Sequence, residues 1–274
     1  GNGKITETDV REFAEGDKPQ PSDTSEQSNQ DDKPSPVQPL PAVEGSREKL
    51  SKVRRITADT MTQAWTTIPH VTHFDKADIT DLEVFRHRYA EKIENAGGKL
   101  TVTAILVKVL ASALKQFPQF NSSLDLEAGE LVRRDTIDVG VAVDTDRGLL
   151  VPVVRQADAK TIRDIAVEIA NLAKRARDKK IQPDEMTGGS ITISNLGGIG
   201  GTAFTPIILP PQVAILGVAR SAVEPVYLDG QLEPRTMVPL CLSYDHRVID
   251  GADAARFMRW IKEALENALL LELE

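Results

Sequence analysis

At 274 residues the chain is long enough for one large domain or two ordinary ones, and with 41% apolar but 4% aromatic side chains its core must be aliphatic. Its net charge of −8 sits mainly at the amino-terminal end, where residues 1–46 hold ten acidic and four basic side chains; the rest is near neutral, without the basic footprint of a nucleic-acid partner. A single cysteine, Cys241, excludes an internal disulfide framework and fits a reducing, cytoplasmic compartment, while no apolar run reaches membrane-spanning length and GNGKITETDV lacks a signal-peptide core.

Residues 1–16 are too few to fold alone and read as the end of an upstream domain. Residues 17–46, DKPQPSDTSEQSNQDDKPSPVQPLPAVEGS, are rich in Pro, Ser, Gln and Asp and nearly free of large apolar side chains. Such a segment cannot bury enough surface to offset chain entropy, so a disordered, partly polyproline-like linker is expected. From residue 47 the composition becomes globular. A short helix is expected at 57–67, stopped by Pro69. A second starts at a Thr80-x-x-Glu83 capping box, carries Leu82, Phe85, Tyr89 and Ile93 at helical spacing, and ends near Gly97-Gly98. Further helices are expected at 101–117, closed by Pro118, at 161–180, and from 252 to about 270. IDVGVAVD (137–144) and LLVPVV (149–154) flank Asp146-Arg147-Gly148 as a hairpin, and 190–194, 213–219 and 237–244 also read as strands. Long helices mixed with hairpins predict a mixed α/β fold, a mixed sheet with helices packed on it.

The stretch SYDHRVIDGADAARF (243–257) carries the strongest chemical signal. His246 follows a predicted strand and precedes a predicted helix, a junction where functional groups sit on rigid supports. An imidazole, with an ordinary pKa of about 6.5, suits a general base near neutral pH, although a structural histidine would satisfy the same facts. Asp250 either orients that imidazole, as an acid does in a triad, or pairs with an arginine to brace the loop. Gly251 is expected to supply a backbone angle or close approach that a side chain would forbid. In GGSITISNLGGIGGTAFTP (188–206) Ser194 ends a strand that enters a glycine-rich loop, where its hydroxyl is either a donor to a developing oxyanion or a surface serine. A P-loop and a G-x-S-x-G elbow are both absent. His70 and His73 lie three apart on a predicted strand and so face opposite ways, which argues against a shared metal. His87 reads as solvated, and Cys241, mid-strand between two leucines, as a packed, inert thiol.

Five blocks occur in order: RRITADTMTQAW, IPHVTHFDKADITDLE, FNSSLD, TISNLG and HRVIDG, the last fitting H-x-x-x-D-G. Over residues 47–274 they closely resemble the catalytic domain of the dihydrolipoamide acyltransferases, core subunits of the 2-oxo acid dehydrogenase complexes related to chloramphenicol acetyltransferase. The resemblance implies a chloramphenicol-acetyltransferase-like sandwich of a mixed sheet with packed helices, trimeric. It also implies that 1–16 is the end of a peripheral subunit-binding domain, that 17–46 is the family's mobile linker, and that the lipoyl domains lie outside this stretch of chain. Within the family the blocks look like the acetyl-transferring branch of bacterial pyruvate dehydrogenase complexes. Succinyl-transferring relatives carry Thr-Asn-Gly-Gly where this chain has Ser194-Asn195-Leu196-Gly197; branched-chain relatives share the Ser-Asn-x-Gly feature, and Leu209 stands where an Asn is common.

The same resemblance implies acetyl transfer between the thiols of dihydrolipoamide and coenzyme A, with the lipoyl group as substrate carrier and no metal. His246 would be the general base, Ser194 the oxyanion donor from a neighbouring subunit, and Asp250 a positioning group acting through an arginine, with Arg54 as candidate. Gly251 would support the loop, and Asn195, Phe204 and Thr205 would contact substrate. Trimers would assemble into a larger core, a 24-mer in bacterial relatives, with Leu269-Leu270-Leu271 between trimers, and would carry pyruvate dehydrogenase and dihydrolipoamide dehydrogenase subunits. A thioesterase using the same histidine with water, or a non-catalytic scaffold, are the competing readings.

Overall fold

The computed structural model describes residues 45–46 and 48–267. The expected remnant at 1–16, nearly all of the linker at 17–46 and the leucines at 269–271 lie outside the described residues. The compact unit begins at Lys49.

Among the described residues, helix α1 is Lys52–Thr67. It starts ahead of the expected residue 57, because the Ser51 hydroxyl caps it, accepting from Arg54 N at 3.2 Å, and the cap precedes the apolar residues that signal a helix. Strand β1, His70–Asp78, leads into α2, Thr80–Glu94. The expected capping box is not formed there. Asp78 accepts from both Thr80 N (3.0 Å) and the Thr80 hydroxyl (2.6 Å), while Glu83 turns to Arg86 at 2.7 Å. Helix α3, Val102–Gln116, is capped by Thr101. Helix α4, Ile162–Arg177, opens with a reciprocal box between Thr161 and Asp164. Helix α5, Gly251–Glu266, is capped by Asp250.

Strands β2 (Ser122–Asp125) and β3 (Glu130–Arg133) form a separate hairpin, exposed along β3, that hydrophobic alternation did not reveal. Strands β4 (Val139–Val141) and β5 (Val153–Val154) realise the expected hairpin in shortened form, extended by a Val143–Leu150 bridge. Then come β6 (Ile191–Asn195), β7 (Ala214–Val218), β8 (Ala222–Leu228) and β9 (Gln231–Asp245). β9 is longer than the expected 237–244 because Asp229 and Gly230, at φ 46° and 86°, turn β8 back onto its first half. Such an Asp-Gly pair is the residue choice a tight hairpin turn requires.

The seven-stranded sheet runs β1-β9-β7-β6-β4-β5, with β8 also on β9. The β4–β6 and β6–β7 pairs are parallel and the others antiparallel, so the sheet is mixed, as expected. Alternation then divides the side chains between two faces. Ile191, Ile193, Leu216, Leu240 and Leu242 are buried against α2–α5, where Phe120 and Phe257 stack at 3.8 Å. The opposite face carries Ser194, Gly217, Cys241 and Phe74 as one register row, and Thr192, Ile215, Ser243 and Thr72 as the next. Its cover is lighter: Ala64 and Ile68, at the end of α1, pack with Ile208 on Ile215.

Candidate active site

The turn that carries His246 is held at three points. Asp245, 2% exposed, ends β9, and its backbone carbonyl accepts from Val248 N and Ile249 N, both at 3.0 Å. Its carboxylate accepts from Arg247 Nε at 2.9 and 3.2 Å, from Nη2 at 2.7 Å and from the Arg247 backbone N–H at 3.0 Å. That carboxylate, by hydrogen bond and charge, raises the Arg247 pKa still further. Ile249, fully buried, plugs the turn into the core, and Asp250 then caps α5 by accepting from Asp253 N at 2.8 Å. His246 N donates to Pro69 O at 3.1 Å, and its ring lies 5.9 Å from that of Tyr244. The imidazole itself is exposed. A rigid backbone therefore presents it to whatever covers this surface. Burial and the nearby Asp250 charge push the Tyr244 hydroxyl pKa up, leaving that phenol protonated beside the helix start.

Ser194 is half-buried on the lightly covered face of the sheet, at the carboxyl end of β6. Phe204 lies over its neighbour in register, Gly217: a Cβ on that glycine would sit 2.7 Å from Phe204 Cζ. Thr205, next in sequence, is exposed. A cleft of about 420 Å³ opens on this face, lined by Phe74, Cys241, Thr202 and Ala203. Burial pushes the Cys241 thiol pKa up, against a smaller effect of a Phe204 backbone hydrogen bond, so it is the packed, inert group expected.

Several expected placements are corrected. Asn195 faces away from Ser194, as strand alternation requires, and its amide is spent on bracing: Nδ2 donates to Thr103 Oγ1 at 2.8 Å and Oδ1 accepts from Gly197 N at 2.7 Å. Arg54 is exposed in the first turn of α1, and among the described residues of this chain it forms no ion pair with Asp250. The arginine that braces the loop is Arg247, and it acts on Asp245, because Asp250 directly precedes a helix and its carboxylate goes to the free N–H groups there. Asp-x-Arg around the histidine was the available signal. Gly251 is helical, without positive φ, and an added Cβ would meet only the Tyr244 hydroxyl at 3.9 Å, so no forbidden approach exists within this chain.

His246 and Ser194 are not brought together within one chain. Ser194 aligns through Gly217 with Cys241, whereas His246 lies beyond the end of β9. At strand dimensions that is roughly 16 Å along the sheet and about 10 Å across it. A cavity of about 940 Å³ beside α4 is lined by Arg155, Arg163 and Arg175, but Arg175 is paired with Glu185, and Arg155 Nη2 donates to the Asp184 and Thr187 carbonyls.

Residues 43–273 match the family described as 2-oxoacid dehydrogenases acyltransferase (catalytic domain). The chain is 46% identical over 243 residues to the dihydrolipoyllysine-residue acetyltransferase component of the pyruvate dehydrogenase complex of Pseudomonas aeruginosa, covering 86% of this chain and 44% of that one. The chain thus spans less than half of that relative's length. The Staphylococcus aureus component is 43% identical over 280 residues, covering all of this chain and 65% of its own. Among solved structures, the dihydrolipoamide acetyltransferase of Azotobacter vinelandii, investigated for the role of a serine, a histidine and an asparagine in its catalytic mechanism, superposes with a TM-score of 0.82 at 46% identity, covering 86% of this chain and 99% of that one. The cubic core of a pyruvate dehydrogenase multienzyme complex gives a TM-score of 0.81 at the same identity and coverage. A mixed sheet of this order, a braced histidine at its edge and a match over nearly the whole compact unit lead to one conclusion: the chain belongs to the 2-oxoacid dehydrogenase acyltransferase catalytic-domain family.

Proposed function

We propose that this chain transfers an acetyl group between the thiols of dihydrolipoamide and coenzyme A, at a site shared by two copies of the chain. The observation that carries the reading is the separation of an exposed, rigidly held imidazole from a sheet-face serine in one chain, each offering half of the chemistry. The serine, histidine and asparagine studied in the Azotobacter vinelandii enzyme have the same spacing as Ser194, His246 and position 250, which is Asp here.

A thiol with a pKa of about 8.5 is mostly protonated at neutral pH, so the attacking sulfur must lose its proton as it meets the thioester carbonyl. His246 takes that proton and returns it to the leaving thiol. The carbonyl oxygen becomes an oxyanion, which receives the Ser194 hydroxyl hydrogen bond from the neighbouring copy. Acyl passes directly from sulfur to sulfur, and Cys241 stays out of the reaction. Asp250 acts by capping α5 behind the histidine, and Phe204 and Thr205 line the approach to Ser194. Copies related by threefold symmetry would create three such sites and assemble further into a cubic, 24-copy core. The lipoyl group would arrive on a domain outside this stretch, and pyruvate dehydrogenase and dihydrolipoamide dehydrogenase subunits would be the partners, in the cytoplasm.

The test is complementation. His246→Ala and Ser194→Ala should each slow transfer between acetyl-CoA and free dihydrolipoamide by about 10²–10⁴. Co-assembled from the two inactive chains, mixed oligomers should recover activity, since some junctions regain both wild-type groups. Absence of recovery in demonstrably mixed oligomers would refute the shared site, and an active His246→Ala protein would refute the chemistry.

A further inference from the structure

His70 stands outside the transfer chemistry, yet both of its ring nitrogens are engaged. Nδ1 lies 2.8 Å from Ile68 O, and a carbonyl only accepts, so Nδ1 carries the proton. Nε2 lies 3.1 Å from Ile208 N, and a backbone N–H only donates, so Nε2 is bare. The geometry thus assigns one neutral tautomer. The ring also contacts Trp65, at 5.6 Å between centroids. Ile208, fully buried, anchors the segment that follows Phe204 and Thr205, and Pro69 O, one residue before His70, receives the His246 backbone N–H. One ring therefore ties together the end of α1, the segment approaching Ser194 and the strand beside the histidine turn.

The charged groups around it are few. Asp245 lies directly opposite His70 in the β1–β9 register, with Arg247 on its carboxylate and His246 next in the chain. The last turn of α1 and residues 205–208 contribute no titratable side chain. On β1, Lys76 is occupied by Glu224.

We propose that His70 is a positioning residue for the transfer reaction, serving as a brace that holds only while its Nε2 is unprotonated. A proton taken up there from solvent would point N–H at the Ile208 N–H and break that bond. It would also place a cation opposite Asp245, in competition with Arg247. The segment at Ile208 and the clamp beneath His246 would loosen together, so acid would lower turnover through His70 as well as through His246. The rate prediction rests on the proposed acyl transfer; the proton placement does not.

Two experiments test it. In His70→Gln the amide oxygen can still accept from Ile208 N but does not titrate, so the ratio of the transfer rate at pH 6 to that at pH 8 should rise about threefold or more over the parent. Independently of activity, Trp65 emission in a Trp260→Phe background should change on acidification, because a protonated ring quenches an indole it touches. The step should vanish in Trp260→Phe/His70→Gln. An unchanged pH–rate profile in His70→Gln, or a Trp65 step that survives removal of His70, would overturn the proposal. Absence of acyl transfer in the parent, with the Trp65 step present in Trp260→Phe and gone in Trp260→Phe/His70→Gln, would instead count against the acyl-transfer reading and leave the proton placement standing.

Discussion

Replacing Arg247 by Met tests whether the clamp on Asp245 holds the histidine turn. The substitution preserves the aliphatic stem and removes the guanidinium. The Asp245 carboxylate, with its side chain 3% exposed, would keep the Arg247 backbone N–H and lose its three guanidinium contacts. Breaking a buried ion pair by deleting one partner costs about 3–5 kcal/mol. The Arg247 side chain is 29% exposed, so water reaches the pair, and the expected cost falls to about 2–3 kcal/mol. For a domain of this size that is a drop in Tm of roughly 5–10 °C. On the proposed mechanism, in which His246 would act chiefly in the transition state, the looser turn should lower kcat by about tenfold or more while KM moves little. Differential scanning calorimetry and the acetyl-transfer assay read the two effects. The double variant Asp245→Asn/Arg247→Met removes both charges and should regain most of the lost stability, which gives a coupling of about 1–3 kcal/mol. If Arg247→Met melts and turns over like the parent, or if the double variant loses the sum of the single losses, the clamp does not hold the turn.

Asp250→Asn retains a good helix cap and should leave the melting temperature nearly unchanged, whereas Asp250→Ala should cost about 1 kcal/mol; equal melting of the two would show that the cap contributes nothing. Gly217→Ala drives a methyl into Phe204, so a loss of about 1–3 kcal/mol and a changed KM for the acyl substrate are expected, to be compared by thermal melts and steady-state kinetics. Burial pushes the Asp78 carboxyl pKa up, but the Thr80 hydroxyl, Arg235 and the Thr80 N–H outweigh it and hold the group below its ordinary 3.8. A carboxyl held low in the folded state contributes stability above its unfolded pKa and loses it as pH falls through the folded one. Asp78→Asn should therefore flatten the decline in urea midpoint below about pH 4; parallel acid curves for parent and variant would contradict this.

Local order is written in neighbouring residues, which is why the starts at Thr101 and Thr161 and the apolar spacing of α3 and α4 could be read directly, whereas residue chemistry alone left His246 and Ser194 open between a functional and a structural reading. The start of α1 escaped because a polar, exposed first turn has no periodic signal, and the capping box at Thr80 failed because Asp78, a strand residue, competed for the same hydroxyl. Alternation along β6 was already implicit in TISN, yet which of Ser194 and Asn195 meets the helices depends on which face the helices cover. The sheet order, the pairing of His70 with Asp245 and the distance between His246 and Ser194 arose only on folding. Those are relations between segments far apart in the chain, set by where apolar faces find each other, and no short stretch of sequence contains the partner that decides them.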